Sequence, residues 1–365
     1  MKYESGTCNS GAPTRYRGTL KTPFVHITDL YHPPQDPDDH FDLATVMALP
    51  ELDLKGVILD TTTKFLNASP EGFDIPRDPG FVPVIQLSYL LGRPIPIAVG
   101  PTEPLRYEGD TGRDRIPAEQ SGIEMLLSIL RASAEPVVIS IVGSARVVAA
   151  AFSREPELMR ARTREILLNA GATAKTKNEW NVNLDLIAYK GIWKAGLPIH
   201  WYPCATERGA FDEDHEYGTH WRASHESLLR DLSPALRAWF CYSFTGNGRG
   251  DIIRALREDG KGAAWEQVLS AKRNLWSTAS LVMAAGRTLA QTSEGWRFVA
   301  RSGSSLSVWP MFLDPITATV RDDGQVDWQS TVDATSYRIF RRQPGRQYGV
   351  AMAEALHALF QSLRC

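Results

Sequence analysis

Residues 24–59 read FVHITDLYHPPQDPDDHFDLATVMALPELDLKGVIL. The apolar run FVHIT ends at Asp29, and a polar, proline-rich loop follows over 30–39. Residues 41–49 carry helical apolar spacing, and LKGVIL at 54–59 is a second apolar run. The stretch therefore predicts a strand, a loop, a helix and a second strand, the unit that builds parallel sheets. The pattern continues outward. Helices are predicted over 82–91, 119–133, 145–153 and 185–195, and strands over 95–99, 136–142, 165–168 and 198–203. The uncharged PVVISIV at 136–142 suits the centre of a parallel sheet. Beyond 205 the spacing turns helical, over 226–243, 248–258 and 264–285. Residues 298–320 read as extended, Asp322-Asp323-Gly324 as a hairpin turn, and 348–363 as a terminal amphipathic helix.

The expected fold class is α/β, an open, doubly wound, mainly parallel sheet with a helical insert and a late β-hairpin. Residues 1–21 read as a loose leader and 22–365 as a single domain. The helical region covers about 206–290, and the hairpin and terminal helix about 296–365.

Composition narrows the function. The chain has 365 residues, and 40 basic against 42 acidic side chains leave a net charge of −2. No basic excess recruits nucleic acid. No apolar run approaches the roughly 18 residues of a membrane span, and no signal-like apolar segment opens the chain. Cys8, Cys204, Cys241 and Cys365 are scattered without a CxxC pair, so a reducing, cytoplasmic setting is expected. VGSAR around Ser144 is no nucleophile elbow, and no G-x-G-x-x-G follows the first strand.

The acidic loop is the richest feature. Asp29 falls at a strand's carboxyl end, where ligands of open α/β sheets bind. Asp36, Asp38 and Asp39 follow in the loop, and Asp42 lies just inside the helix. One aspartate would suffice to cap the helix. So many carboxylates repel one another and call for a cation or raised pKa values. All-oxygen donors favour Ca²⁺ or Mg²⁺ over zinc.

With its neighbours this loop resembles the nucleoside hydrolases and the wider nucleoside hydrolase-like superfamily, the inosine-uridine preferring N-ribohydrolases. The similar segments come in order: FVHITD, DPDD, HFDLATVMAL and PELDLKGVIL, then RPIPIAVGPTEPL (93–105), PVVISIVGSARVVAAAFSREPEL (136–158), EILLNAGA (165–172) and NEWNVNLDLIAYKGIWKAGLPIHWYP (178–203). They run through about residues 22–205. The resemblance implies a Ca²⁺ ion in the acidic loop, with one ligand aspartate, Asp29 or Asp36, deprotonating the attacking water. It implies Asp39 as bidentate ligand, Asp38 on the ribose hydroxyls and the Val142 carbonyl in the metal shell. Glu179 and Asn181 would hold the sugar's outer hydroxyl, with Trp180 between them. Carboxylates suit the oxocarbenium-like sugar of glycosidic cleavage, and the ion orients the water and lowers its pKa.

Two departures stand out. The family's late His-Asp pair is missing, and either Asn274 or Asp314 would complete the metal site; Asn274 fits better by order. The family's glycine-asparagine after the second strand is replaced by DTTTKF (60–65), where Thr63 or Asp60 could meet the ribose. The leaving-group acid is open among His200, His215, His220 and His225, with Tyr217 and several tryptophans also available. FDEDHEYGTHWRASHE (211–226) reads as a mobile lid or a solvated loop. Trp180 and Trp276 are candidates to stack on a base.

The leading expectation is a calcium-dependent enzyme cleaving a nucleoside or related N-riboside into base and ribose, as a homo-oligomer (dimer or tetramer) with no nucleic-acid or membrane partner. Hydrolysis of another sugar derivative and non-catalytic ribose binding are the alternatives.

Overall fold

A computed structural model of the protein describes residues 21–66, 77–174, 179–245, 250–258, 260–301, 306–333 and 335–363. Nearly all of the expected leader lies outside them, as do Cys8, Asn178 and Cys365.

Seven strands run parallel in one large sheet: β1 (Thr22–Thr28), β2 (Leu52–Leu59), β3 (Ile97–Val99), β4 (Val137–Ile141), β5 (Thr163–Asn169), β6 (Ile199–Tyr202) and a late strand, β14 (Tyr337–Arg342). Between β6 and β14 come β7 (Trp221–Ser224), β8 (Lys272–Leu275), β9 (Arg287–Thr292), β10 (Gly295–Ala300), β11 (Ser307–Val308), β12 (Met311–Val320) and β13 (Val326–Ser330). The large sheet has the order β13-β12-β14-β6-β5-β4-β1-β2-β3, with β12 and β13 antiparallel at one edge. The chain winds from β1 outward through β2 to β3, then returns to β4 on the other side of β1. The β1/β4 junction is therefore the switch point where such sheets open a crevice.

Alternate side chains along the strands feed two cores. Phe24, Val138 and Leu167 face the helix Asp38–Ala48, while Val25, Ile27, Ile139, Ile141 and Ile166 face the helices Pro117–Ala132 and Arg146–Arg154. Burial on both faces explains why these strands read as near-continuous apolar runs. At the carboxyl ends, Arg146 knots the loops together. It is buried, 3.3 Å from the buried Asp185, and donates to the carbonyls of Thr61 (2.9 Å), Pro101 (2.7 Å) and Leu184 (3.0 Å). Removing one partner of such a buried pair costs about 3–5 kcal/mol.

The expected hairpin is present: β12 pairs with β13 around Asp322-Asp323-Gly324, and Gly324 takes the positive φ (84°) that the turn requires. β9 and β10 form a second hairpin. The helical insert differs in detail. Residues 226–243 form two helices, His225–Leu229 and Pro234–Thr245, broken at Asp231, whose φ is 63°. Residues 264–285 are not one helix. Gly262–Leu269 is followed by β8, which pairs with β7, and then by Thr278–Ala284. Among the described residues no helix is long and apolar enough to cross a membrane.

Candidate active site

A cavity of about 610 Å³ opens over the carboxyl ends of β1, β4, β5 and β6. Its floor is acidic. Asp29 leaves β1, while Asp38 and Asp39 form the first turn of the helix Asp38–Ala48. The cap residue is Pro37, and no side chain caps this helix, so neither aspartate serves as N-cap. Thr28 donates its hydroxyl to Asp39 Oδ1 at 2.9 Å and fixes that carboxylate. Burial, followed by the neighbouring carboxylates, pushes Asp29, Asp38 and Asp39 well above the ordinary aspartate range. Asp42, one turn on, is pushed up to about 7 by burial, with its hydrogen bond to Ser277 opposing.

The loop is longer than its job of linking strand to helix requires, and the extra length is packed. Leu30, Tyr31, His32 and Pro33 are buried. Tyr31 sits at φ 45°, and its hydroxyl accepts the Thr62 N–H at 2.7 Å. His32 exchanges backbone hydrogen bonds with Asp78.

The Val142 carbonyl stands on the β4 side of the floor and accepts Asn181 Nδ2 at 3.1 Å. Gly143 follows. A Cβ there would lie 2.7 Å from Asp60 Oδ2 and 3.1 Å from Asp29 Oδ1. Asp60 accepts the Ser144 N–H (2.6 Å) and hydroxyl (2.8 Å), so it is fixed behind Asp29.

One wall rises from the loop after β5. Glu179 is the N-cap of the short helix Trp180–Leu184, accepting from Asn181 N, Val182 N and Gly171 N. Asn181 spends its NH₂ group on the carbonyls of Val142 and Asn169. Trp180 is 46% exposed, a large apolar surface held open in the wall. Phe65 packs against it at 5.7 Å, and the Lys64 ammonium lies 5.5 Å from its ring centroid.

The opposite wall comes from the loop after β6. Gly209, Ala210 and Phe211 line it, with Trp276 and Ser277 from the β8 side. Trp276 donates its indole N–H to the Ala210 carbonyl at 3.0 Å, and Phe211 packs edge-on against Trp276. Phe211 is 66% exposed, the posture of a stacking platform rather than of core. The 211–226 stretch is fastened from below. The buried Arg342 donates to the carbonyls of Gly218 (2.9 Å) and Glu213 (2.8 Å), and its backbone N–H to that of Glu216 (2.7 Å).

No family model matches the chain. Curated proteins do, among them two named pyrimidine-specific ribonucleoside hydrolase RihA, from Salmonella paratyphi B and Salmonella typhi. Each is 31% identical over 183 residues, covering 44% of this chain and 55% of the relative. The matched part thus spans about half the length of those relatives. Among solved structures, the plant nucleoside hydrolase PpNRh1 superposes with a TM-score of 0.52 at 15% identity, over 91% of this chain and 98% of that one. A purine-preferring ribonucleoside hydrolase from Gardnerella vaginalis gives 0.50 at 13%, over 93% and 99%. The chain shares the fold of these nucleoside hydrolases.

Eight of the sequence-derived site residues line one cavity: Asp29, Asp36, Asp38, Asp39, Val142, Glu179, Trp180 and Asn181. Asp36 sits at the rim, 3.4 Å from Arg273. Two others are absent from the lining. Thr63 is exposed and donates to Glu103, so DTTTKF presents Lys64 and Phe65 to the Trp180 wall instead. Asn274 lies on β8 with its Oδ1 3.2 Å from His220 Nε2. Asp314 is paired with Arg341 on β14, outside the cavity. The two residues that open the late helix at the cavity are Trp276 and Ser277, where the sequence favoured Asn274. Ser277 left no signal in the sequence, since an isolated serine before a helix reads as a cap.

None of the four histidines lines the cavity. His200 pairs with Glu165, His215 with Glu207, and His225 Nδ1 with the Val268 carbonyl. His220 packs behind Trp276, and burial pushes it down to about 4, so it is a neutral imidazole at pH 7.

The floor suits a hard cation in its chemistry. It gathers several carboxylates held above their ordinary pKa by burial and by one another, and a backbone carbonyl beside them. Among the described residues no three His, Cys, Asp or Glu side chains converge closely enough to hold a metal alone. A calcium ion here would rely on Asp29, Asp39, the Val142 carbonyl and waters, which fits the flexible oxygen shells of Ca²⁺.

Proposed function

We propose that this protein is a calcium-dependent hydrolase of the N-glycosidic bond of a ribonucleoside or related N-riboside. One observation carries the reading: an acidic floor at the switch point is flanked by exposed aromatic faces in a single cavity. Sugar hydroxyls suit the first, and a planar base suits the second. Calcium, when bound, would neutralise the floor and orient a water. Asp29 is the stronger candidate for the base that takes the water's proton, because Asp36 is engaged by Arg273. Asp38 grips ribose hydroxyls, and Glu179 and Asn181 border the far end of the sugar. The base stacks on Phe211 and Trp276. No histidine stands there to protonate it, so departure relies on stacking and on carboxylate stabilisation of the sugar cation. The proposal includes assembly as a dimer or tetramer, which light scattering on eluting protein reads directly.

The test pairs binding with turnover. Millimolar calcium at pH 8 is expected to raise Tm by several degrees, since a ligand at a hundred times its Kd adds about 2.7 kcal/mol. The loaded protein should release base from at least one member of a pyrimidine and purine nucleoside panel. No shift and no release would sink the reading; a shift and ribose binding without release would favour a ribose-binding protein. Phe211→Ala is expected to raise KM for the cleaved nucleoside about tenfold to a hundredfold, as base–aromatic stacking is worth ~1–3 kcal/mol. An unchanged KM would place the base elsewhere.

A further inference from the structure

The two aromatic walls sit on opposite sides of the floor. Phe211 belongs to the loop after β6, and Lys64 and Phe65 to the loop after β2. In the order β6-β5-β4-β1-β2 these loops lie on either side of the three strands whose carboxyl ends lead to Trp180, Val142 and Asp29. A ribose on that floor bears its large substituents at C1′ and C4′, at opposite ends of the ring. With the base on the Phe211 wall, the Trp180–Phe65 wall faces whatever the C4′ arm carries.

The walls differ in charge. Lys64 lies 5.3 Å from the Phe65 centroid and 5.5 Å from that of Trp180, and among the described residues it makes no ion pair. Its neighbour Glu103 is taken by the Thr63 hydroxyl. On the other wall, Arg208 is already paired with Asp212 at 3.1 Å. An ammonium held over aromatic rings keeps its N–H donors on the outer side, toward water. A phosphate oxygen would accept from such an outward donor.

Resting on the ribohydrolase reading, we propose that Lys64, with Trp180, forms a subsite for an anionic group on the C4′ arm, so that 5′-phosphorylated N-ribosides are preferred over free nucleosides. Lys64 is then the specificity-determining residue that DTTTKF supplies. The acidic floor and the basic rim together demand a ligand with a polar diol at one point and an anion at another.

The probes are ribose and ribose 5-phosphate, titrated calorimetrically into the full calcium-loaded chain. Alongside them, kcat/KM is compared for uridine against uridine 5′-monophosphate and for inosine against inosine 5′-monophosphate. Ribose 5-phosphate is expected to bind about tenfold more tightly than ribose, the size of one charge-assisted hydrogen bond. Lys64→Gln should bring that ratio toward one, and Lys64→Arg should keep most of it; circular dichroism confirms that both variants fold. Equal affinities in the native protein, or a ratio that Lys64→Gln leaves in place, overturns the subsite. If nucleosides are cleaved while the ratio is one, the subsite fails and the hydrolase reading stands. If ribose 5-phosphate binds through Lys64 and nothing is cleaved, the subsite stands and the hydrolase reading fails.

Discussion

Asp39→Asn is expected to lower kcat by about a thousandfold while leaving the metal-free protein as stable as before, or more so, at pH 8. The first half follows from the cation. Removing its best-fixed carboxylate forfeits several kcal/mol of charge stabilisation, and about 1.4 kcal/mol is a factor of ten. The second half follows from burial. Asp39 lies beside Asp29, Asp38 and Asp42, and its desolvated carboxylate resists ionisation. Asparagine keeps an oxygen to accept the Thr28 hydroxyl. The same reasoning fixes the pH dependence. A carboxyl whose folded pKa is raised holds its proton after the unfolded one has lost it, so metal-free stability falls as pH climbs above 3.8 toward about 7, the range set by Asp42. Calcium should reverse that fall. Thermal melts from pH 4 to pH 8, with and without calcium, in both proteins, read all of this. A variant that melts lower at pH 8 without metal, or that keeps its kcat, contradicts the account.

Gly143→Ala carries the second large effect. The added methyl would meet Asp60 Oδ2 at 2.7 Å, and Asp60 cannot retreat because Ser144 holds both of its oxygens. The strain passes to Asp29, 3.1 Å from the same methyl. Overpacking of this kind costs about 1–3 kcal/mol. A catalytic group displaced by about 1 Å loses roughly a hundredfold in rate. Calcium affinity should fall in step, since Asp29 is the displaced group. Kinetics and calcium titration of a variant that still folds test the chain of contacts. A rate within threefold of the native one would show that the floor tolerates the methyl.

The order of strands and helices through residue 205 could be read from the sequence because each strand of the parallel sheet is buried on both faces and each helix on one. Those burials impose apolar runs and helical spacing. The acidic floor was legible for a different reason, since four aspartates in one loop have no structural use. What failed was direction. Thr63, Lys64 and Phe65 are consecutive in a single helical turn, and each points about 100° from the next. No pattern in DTTTKF says which of them meets the cavity. Asn274 failed through length. β8 has four residues between two helices, too short to break the apolar spacing of a longer window, so 264–285 reads as one helix. Phe211 was hidden in a polar stretch, and only its exposure beside Trp276 marks it.

Every hydrogen bond that Arg342 makes to the 211–226 stretch goes to or from the main chain. Such a fastening is blind to side-chain identity. Residues along the wall can be exchanged without loosening it, provided the backbone path survives. The molecule therefore pairs a floor built from side chains with a wall tied down through its backbone. If the proposed hydrolase reading holds, a library randomised at Ala210 and Phe211, with Gly209 kept at its φ of 96°, should yield altered base preferences on an unaltered chassis.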